Sequence, residues 1–253
     1  PPITNQVYTV ATIGIDTCGK TALTRKWADP TLTIANVQAT KFDSYEKMVH
    51  RQIIGDRMIE HTFQILDWGG EYLVTAQEQL VTLGELRALI FVVDLGEYDT
   101  KQKKVVFSQA RIERQLSMFA PNLLPFFFGE RIASHCRTCV LFINKSDVLA
   151  GSVEAIEQEA KQHFSPLIQR LDRLCEDRGV ELEIKVGSAI TGMSFRNSSS
   201  GGGASFPTSD FTFTRFDVRV APTSVSPLAV SSTFANNVGA GEVAVREGPL
   251  FVP

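Results

Sequence analysis

Short apolar runs alternate along this chain with longer segments in which apolar residues recur every three or four positions. The first pattern is typical of buried strands and the second of amphipathic helices. Alternating strands and helices indicate an α/β protein whose mostly parallel six-stranded sheet is covered by helices on both faces. The predicted strands are about 6–13, 45–54, 60–67, 87–94, 138–143 and 181–187, and the predicted helices about 20–28, 72–84, 102–119 and 152–178.

Turn-forming residues refine this pattern at two places. Gly55–Asp56 separates the second and third strands and predicts an antiparallel hairpin at one sheet edge. Pro166 lies inside the last helical pattern and predicts a kink or a break near Ser165.

A glycine-rich segment follows the first predicted strand. Gly14–Thr21 read G-I-D-T-C-G-K-T, which matches the phosphate-binding pattern G-x-x-x-x-G-K-[ST]. Such a turn points backbone N–H groups and the positive end of a helix at one spot. We expect Lys20 to reach the β- and γ-phosphates and the Thr21 hydroxyl to bind Mg²⁺. The nucleotide-binding candidates here are Gly14, Asp16, Thr17, Cys18, Gly19, Lys20, Thr21 and Ala22.

The third predicted strand ends in Asp67, and Gly70 follows three residues later. A carboxylate at a strand end can hold a water on Mg²⁺, so Asp67 is a candidate metal residue through water. A glycine lets its backbone N–H approach a γ-phosphate closely, which makes Gly70 a candidate for nucleotide binding.

The fifth predicted strand ends in Asn144-Lys145-Ser146-Asp147. The Asp147 carboxylate can accept two hydrogen bonds from the ring N1–H and the exocyclic amine of guanine. Adenine offers no such donor pair, so this residue predicts selection of guanine over adenine. Asn144, Lys145 and Asp147 are therefore nucleotide-binding candidates.

The loop that completes the guanine site has two candidates. Ser188–Ala189 follows the last predicted strand, where a backbone N–H would meet the guanine O6. Thr223–Ser224 precedes a later helical pattern and is the alternative. If the alternative holds, residues 181–220 are an inserted hairpin.

In this order the motifs resemble those of the Ras superfamily of small GTPases over about residues 6–192. Asp16 in the glycine-rich segment is similar to the residue that Arf proteins have at this position. The double glycine that ends at Gly70 resembles the form found in Arf proteins, G-protein α-subunits and Rag GTPases. The segment Leu89–Asp94 resembles the corresponding segment of Arf proteins, and Leu95–Asp99 resembles that of α-subunits. The resemblance implies a P-loop fold that binds GTP or GDP with Mg²⁺.

The resemblance also implies a threonine in a loop before the second strand, which joins Mg²⁺ only when GTP is bound. By its spacing from Lys20, Thr40 is preferred over Thr31 and Thr33. Loss of the γ-phosphate would release this loop, which is how such proteins switch.

One position departs from that family. After D-x-x-G the family has a glutamine that orients the attacking water, and here the position is Glu71. A carboxylate is repelled by the γ-phosphate and cannot donate a hydrogen bond as an amide can. Glu71 is thus a doubtful catalytic residue, and we expect slow or partner-dependent hydrolysis. No arginine can be assigned from sequence as an internal finger.

Composition narrows the partners. A net charge of −3 with 21% charged residues does not favour nucleic acid, and no apolar run is long enough for a membrane span. Four cysteines suit a reducing cytosol, and Cys136-x-x-Cys139 leads into a strand, which favours packing over zinc. The chain begins without Met, so we expect a trimmed or excised chain, and a lipid anchor at the true termini would not be visible.

The predicted domains are a guanine-nucleotide-binding domain over 1–194, a Ser/Gly-rich insertion with an extra strand over 195–222, the last helix over 223–240, and an unassigned tail over 241–253. Residues 120–135 contain three adjacent phenylalanines. A packed irregular loop is favoured there over a partner-binding knob.

Three functions are weighed. The first is a slow GTP/GDP switch that acts with a protein effector, an exchange factor or an activating protein. The second is a Rag-like scaffold module with structural nucleotide and negligible hydrolysis, working as half of a heterodimer or within a larger protein. An ATP-dependent enzyme is disfavoured because it leaves Asp147 without a role.

Overall fold

The computed structural model describes residues 2–29, 32, 41–72, 76, 78–80, 85–119, 123–130, 134–190, 193–194 and 244–246. Its central element is an eight-stranded sheet with the strand order β10-β2-β3-β1-β4-β7-β8-β9. The strands are β1 (Ile3–Ile13), β2 (Phe42–Ile54), β3 (Arg57–Trp68), β4 (Leu86–Asp94), β7 (Thr138–Asn144), β8 (Glu181–Ser188), β9 (Met193–Ser194) and β10 (Ala244–Arg246).

The centre of the sheet is parallel. β1 pairs in parallel with β3 and β4, β4 with β7, and β7 with β8. β2 is antiparallel to β3 across the turn at Gly55, as the hairpin signal predicts. The hairpin does not form the edge of the described sheet, because β10 pairs with the other side of β2. The α/β class with a mostly parallel sheet is therefore confirmed, and each of the six predicted strands is present.

Helices pack on both faces of this sheet because the side chains of each strand alternate between faces. On one face Val10 and Ile90 pack with Leu23 and Trp27 of helix α1 (Lys20–Ala28). On the other face Ala11, Leu89 and Phe91 pack against the remaining described helices. These are α2 (Gln109–Met118), α3 (Leu124–Phe127), α4 (Val153–His163) and α5 (Ser165–Arg178).

The predicted helix over 102–119 is wrong at its start. Residues 96–107 form a separate hairpin of β5 (Gly96–Asp99) and β6 (Lys104–Phe107), and α2 begins only at Gln109. The Asp99 carboxylate accepts hydrogen bonds from the N–H groups of Lys101 and Gln102, which closes a turn instead of a helix. Ser108 then caps α2 by accepting a hydrogen bond from the N–H of Arg111.

The predicted break near Ser165 is present. The chain leaves α4 at His163, Phe164 lies between the helices, and Pro166 occupies the first turn of α5. A proline has no N–H to donate, so it is accepted in a first turn and interrupts a continuous helix. Ser152 caps α4, and Gly179 ends α5 in the left-handed region.

The phenylalanine segment is packed. Phe127 and Phe128 are buried, and both rings lie against Phe91 of the core. Phe126 is partly buried against the same cluster. The prediction that these phenylalanines are packed on the domain is therefore confirmed. The alternative prediction, in which all three rings form a partner-binding knob, is wrong.

Several predictions fall on positions outside the described residues. They are Thr40, the guanine-loop alternative Thr223–Ser224, the insertion 195–222 and the helix 223–240. Of the helix predicted at 72–84, residues 76 and 78–80 are described and are α-helical, and Tyr72 lies in a 3₁₀ turn. Of the tail, β10 is described, and it pairs antiparallel with β2.

Candidate functional site

The predicted site residues gather at one edge of the sheet. The parallel strands β1, β3, β4, β7 and β8 all run in the same direction, so their carboxyl ends lie together. In open α/β sheets ligands bind at this edge. The segments that follow it are the turn Gly14–Gly19, hereafter the phosphate loop, the segment Gly69–Tyr72, the turn Asn144–Val148 and the loop at Ala189.

The phosphate loop wraps around the end of the Lys20 side chain. The buried ammonium group of Lys20 donates hydrogen bonds to the carbonyl oxygens of Gly14 at 2.9 Å and Ile15 at 2.8 Å. α1 begins at Lys20 itself, so the N–H groups of its first turn and its positive dipole end lie at the loop. This arrangement suits an anion with several oxygens.

Two glycines are required by close approach of neighbouring groups. Gly19 has φ +98°, and a Cβ there would overlap the Asn144 amide nitrogen. A Cβ at Gly70 would overlap the backbone of Ile15 and Asp16. Gly70 thus brings its segment into direct contact with the phosphate loop, which is where the Asp67–Gly70 signal predicts it to lie.

Asn144 connects three segments of the site. Its amide nitrogen donates a hydrogen bond to the Cys18 carbonyl at 2.8 Å, and its amide oxygen accepts one from the Ala189 N–H at 2.8 Å. Asn144, Cys18 and Ala189 are all buried. One side chain therefore ties the phosphate loop to the loop after β8. The alternative guanine loop, Thr223–Ser224, lies outside the described residues, so the choice of Ser188–Ala189 stays a prediction.

Thr21 and Asp67 form a pair of oxygen-bearing side chains below the phosphate loop. The Thr21 hydroxyl donates a hydrogen bond to Asp67 Oδ2 at 2.6 Å. Asp67 is fully buried, and its Oδ1 atom has no hydrogen-bond partner. A buried, unpartnered carboxylate oxygen beside a hydroxyl suits a hard divalent cation such as Mg²⁺.

A negative charge on the buried carboxyl group of Asp67 is energetically unfavourable. Burial raises the pKa of this carboxyl to about 6, although the Thr21 hydrogen bond and the Lys20 charge oppose the shift. Asp43 lies directly opposite Asp67 across the β2–β3 pair and adds repulsion between like charges. A cation bound here would relieve that cost.

The turn after β7 holds the predicted base-recognition residues. Lys145 has φ +59°, and its ammonium group donates a hydrogen bond to the Gly96 carbonyl at 2.8 Å. The same nitrogen lies 3.2 Å from Asp94 Oδ2. Asp147 lies in a 3₁₀ turn, Ser146–Val148, with its side chain exposed and available to a ligand.

The remaining candidates are placed as follows. Asp16 and Thr17 are exposed at the tip of the phosphate loop, and Ala22 is buried in α1. Glu71 lies in a 3₁₀ turn, Gly70–Tyr72, directly after the glycine that contacts the loop. Burial raises the pKa of the Cys18 thiol, which makes that cysteine unreactive.

Sequence reasoning missed three residues of this region. Asp94, Arg111 and Gln115 are buried beside the phosphate loop and bind one another. The sequence indicates a functional role for Asp94 only weakly, through its position as a carboxylate at the end of a buried strand. It does not indicate one for Arg111, because a charged residue on a helix is ordinarily exposed.

The described residues contain no group of three or more histidine, cysteine, aspartate or glutamate side chains arranged for a metal ion. Cys136 and Cys139 are both buried, as expected of strand packing. Among the described helices, none has the length and apolar character needed to cross a membrane.

Comparisons with known proteins give a likeness in structure only. No protein-family model matches the chain, and no curated protein matches its sequence. Among solved structures the chain is similar to the Arl6 (BBS3) small GTPase from Trypanosoma brucei with the bound nucleotide analogue GppNp. The similarity has 16% identity and a TM-score of 0.40, and it covers 73% of this chain and 88% of that one.

Proposed function

We propose that this chain is a guanine-nucleotide-binding switch that binds GTP or GDP together with Mg²⁺. The observation that carries the proposal is the position of Asn144, which bonds to the phosphate loop on one side and to the Ala189 loop on the other. The turn that would bind phosphate and the loop that would face the base are thereby held together at the ligand edge of one sheet. A single nucleotide would bridge them.

Each part of the nucleotide has residues suited to it. Lys20 and the backbone N–H groups of the phosphate loop would bind the phosphates. Asp147 would accept the two hydrogen bonds of the guanine edge, and the loop N–H groups at Ser188–Ala189 would face its O6. Thr21 and, through water, Asp67 would hold Mg²⁺, which would neutralise phosphate charge.

Switching would depend on the γ-phosphate. Gly70 contacts the phosphate loop directly, so a group that enters between them must move the segment that begins there. We propose that GTP orders this segment and the loop around Thr40, and that an effector reads the resulting surface. An exchange factor and an activating protein would set the nucleotide state. The protein would act in the cytoplasm. Any attachment to a membrane would depend on signals that the given sequence does not show.

The direct test is nucleotide selectivity. We expect GDP or GTP to co-purify with the protein and to bind at micromolar concentration or tighter. Asp147→Ala should weaken GDP binding by about tenfold, because an acceptor of charge-assisted hydrogen bonds is lost, while ADP binding stays as weak as before. Titration of fluorescent GDP and ADP measures both constants.

Asp172→Ala is the matched control, since Asp172 is an exposed carboxylate on α5 away from the ligand edge. It should leave both constants unchanged. If Asp147→Ala keeps the wild-type preference for GDP over ADP, the assignment of the base contact is wrong.

Hydrolysis should be slow because of Glu71. We propose that its carboxylate is repelled by the γ-phosphate and orients water poorly. Glu71→Gln should therefore raise the single-turnover rate of GTP hydrolysis by about tenfold, since an amide is neutral and can donate a hydrogen bond. Glu85→Gln, at an exposed glutamate before β4, serves as the control.

The same measurement separates the switch from a second candidate, a Rag-like scaffold that works through a partner such as the other half of a heterodimer. The specific observation in its favour is the carboxylate at position 71. Release of phosphate within hours supports the switch. Tight GTP binding with no phosphate release from either the wild type or Glu71→Gln supports the scaffold. A rate that falls in Glu71→Gln identifies Glu71 as a base.

A further inference from the structure

A buried ionic cluster lies between the phosphate loop and the turn Asn144–Val148. It consists of Asp94, Arg111, Gln115 and Lys145, hereafter the Asp94 cluster. Asp94 and Gln115 are fully buried and Arg111 is 5% exposed. Only Lys145 belongs to a nucleotide-binding motif, so the function proposed above does not account for the other three.

Asp94 is fixed through its main chain and its side chain. Gln115 accepts a hydrogen bond from the Asp94 N–H at 2.9 Å and donates one to the Asp94 carbonyl at 2.8 Å. The Arg111 guanidinium binds both carboxylate oxygens, from Nε to Oδ1 at 2.5 Å and from Nη2 to Oδ2 at 2.7 Å. A fork-to-fork pair of this kind sets the direction of the guanidinium as well as its position.

The same guanidinium reaches the phosphate loop. Arg111 Nη2 donates a second hydrogen bond, at 2.7 Å, to the carbonyl oxygen of Asp16. No described peptide bond is cis, and in a trans peptide the C=O and the N–H point in opposite directions. With the Asp16 carbonyl held toward α2, the Thr17 N–H is directed away from α2.

Asn144 acts on the next part of the loop in the same way. It holds the Cys18 carbonyl, so the Gly19 N–H is directed away from Asn144. Two side chains from outside the loop therefore set the direction of two of its amides before any ligand arrives. Amides aimed in advance bind an anion without a further ordering cost.

We propose that Arg111 is a positioning residue for the nucleotide phosphates, which acts by holding the Asp16–Thr17 peptide in its phosphate-binding orientation. Through Asp94 it shares its anchor with Lys145 of the base-recognition turn. The inference rests on the proposed nucleotide binding and extends it to a residue outside the four sequence motifs.

A purely stabilising role explains this cluster less well. A buried ion pair contributes little net stability, because desolvation of the charges offsets their attraction. A lysine would neutralise Asp94 equally well. It has no planar fork, however, and cannot bind both carboxylate oxygens and the Asp16 carbonyl in one fixed geometry. The residue type thus matches the positioning of the loop.

The test compares Arg111→Lys with Arg114→Lys. Arg114 lies on the same helix near the same loop residue, 3.7 Å from Asp16 Oδ1, but its side chain is 59% exposed. Dissociation of fluorescent GDP should be about tenfold faster in Arg111→Lys, which corresponds to one lost charge-assisted hydrogen bond, and unchanged in Arg114→Lys. The ratio of the GDP and IDP affinities should stay at the wild-type value in both, because IDP differs only in the base edge that Asp147 reads.

Each outcome decides a separate point. Wild-type dissociation from Arg111→Lys overturns the positioning role and leaves the proposed function intact. A changed GDP-to-IDP ratio in that variant also overturns it, because the damage would extend beyond the phosphates. Failure of the wild type to bind GDP overturns the proposed function itself. If Arg111→Lys does not fold, Asp94→Asn replaces it in the test, because this change removes the carboxylate that orients the guanidinium. Faster GDP dissociation from Asp94→Asn then supports the positioning role, and dissociation at the wild-type rate overturns it.

Discussion

Gly19→Ala should abolish tight nucleotide binding, with affinity for GDP lowered by about 1,000-fold or more. An alanine at φ +98° is strained by about 1–2 kcal/mol. Its Cβ would also displace the Asn144 amide, which leaves the buried Cys18 carbonyl and Ala189 N–H without partners at about 1–3 kcal/mol each. Together these costs reach about 4 kcal/mol, and they fall on the loop that is proposed to bind phosphate. Titration with fluorescent GDP measures the loss.

Gly179→Ala is the control for backbone strain alone. Gly179 has φ +63° at the end of α5, and a Cβ there would meet no atom within 4 Å. This variant should lose about 1 kcal/mol of unfolding free energy with GDP affinity unchanged.

The contact with Asn144 has its own test. If displacement of its amide carries much of the effect, Gly19→Ala combined with Asn144→Ala should be far less than additive with the two single changes. Wild-type GDP affinity in Gly19→Ala would show that the phosphate loop does not bind the nucleotide as proposed.

Asp67→Asn should reduce the effect of Mg²⁺ on nucleotide binding by about 100-fold, which removes most of that effect. The change keeps the volume of the side chain and a hydrogen-bond acceptor for Thr21, but it removes the negative charge that holds the water on the metal. GDP dissociation with Mg²⁺ and with a chelator measures the effect. The wild type should release GDP much faster without Mg²⁺, whereas the variant should release it rapidly in both conditions.

In the metal-free form, the stability of the wild type should depend on pH in a way that Asp67→Asn removes. The folded pKa of Asp67 is raised from 3.8 to about 6, so the folded state favours the protonated form. Stability of the wild type is therefore lost as pH rises from about 4 through 6, by about 3 kcal/mol at most. Asp67→Asn cannot ionise, so it should match the wild type at pH 4 and exceed it at pH 7.5. Urea unfolding at the two pH values measures the difference.

Asp56→Asn is the control for both measurements, since Asp56 is an exposed carboxylate in the β2–β3 turn. It should change neither the Mg²⁺ dependence nor the pH profile. A wild-type response to Mg²⁺ in Asp67→Asn would place the metal elsewhere.

The elements that the sequence predicts well are those specified by local pattern. Strands such as β4 and β7 are recognisable because each is a short apolar run, and the break at Ser165 because proline cannot continue a helix. The start of α2 was missed because residues 96–107 have no strong period, and the hairpin there depends on the Asp99 turn and on pairing between β5 and β6.

The motifs likewise predict which residues share a site, since each follows a strand of a parallel sheet and all such strand ends lie together. They do not predict the bonds between those residues. The hydrogen bond from the Ala189 N–H to Asn144, for example, joins residues that are 45 positions apart in the sequence.

The sequence by itself thus determined the α/β class, the order of the strands along the chain and the residues for which nucleotide chemistry is proposed, because these depend on local periodicity and on short motifs. Only the tertiary structure decided that Asn144 joins two loops and that Arg111, while paired with Asp94, bonds directly to the phosphate loop. The physical reason is that a buried polar side chain must find its partners wherever folding brings them. For Arg111 that partner lies 95 residues away along the chain.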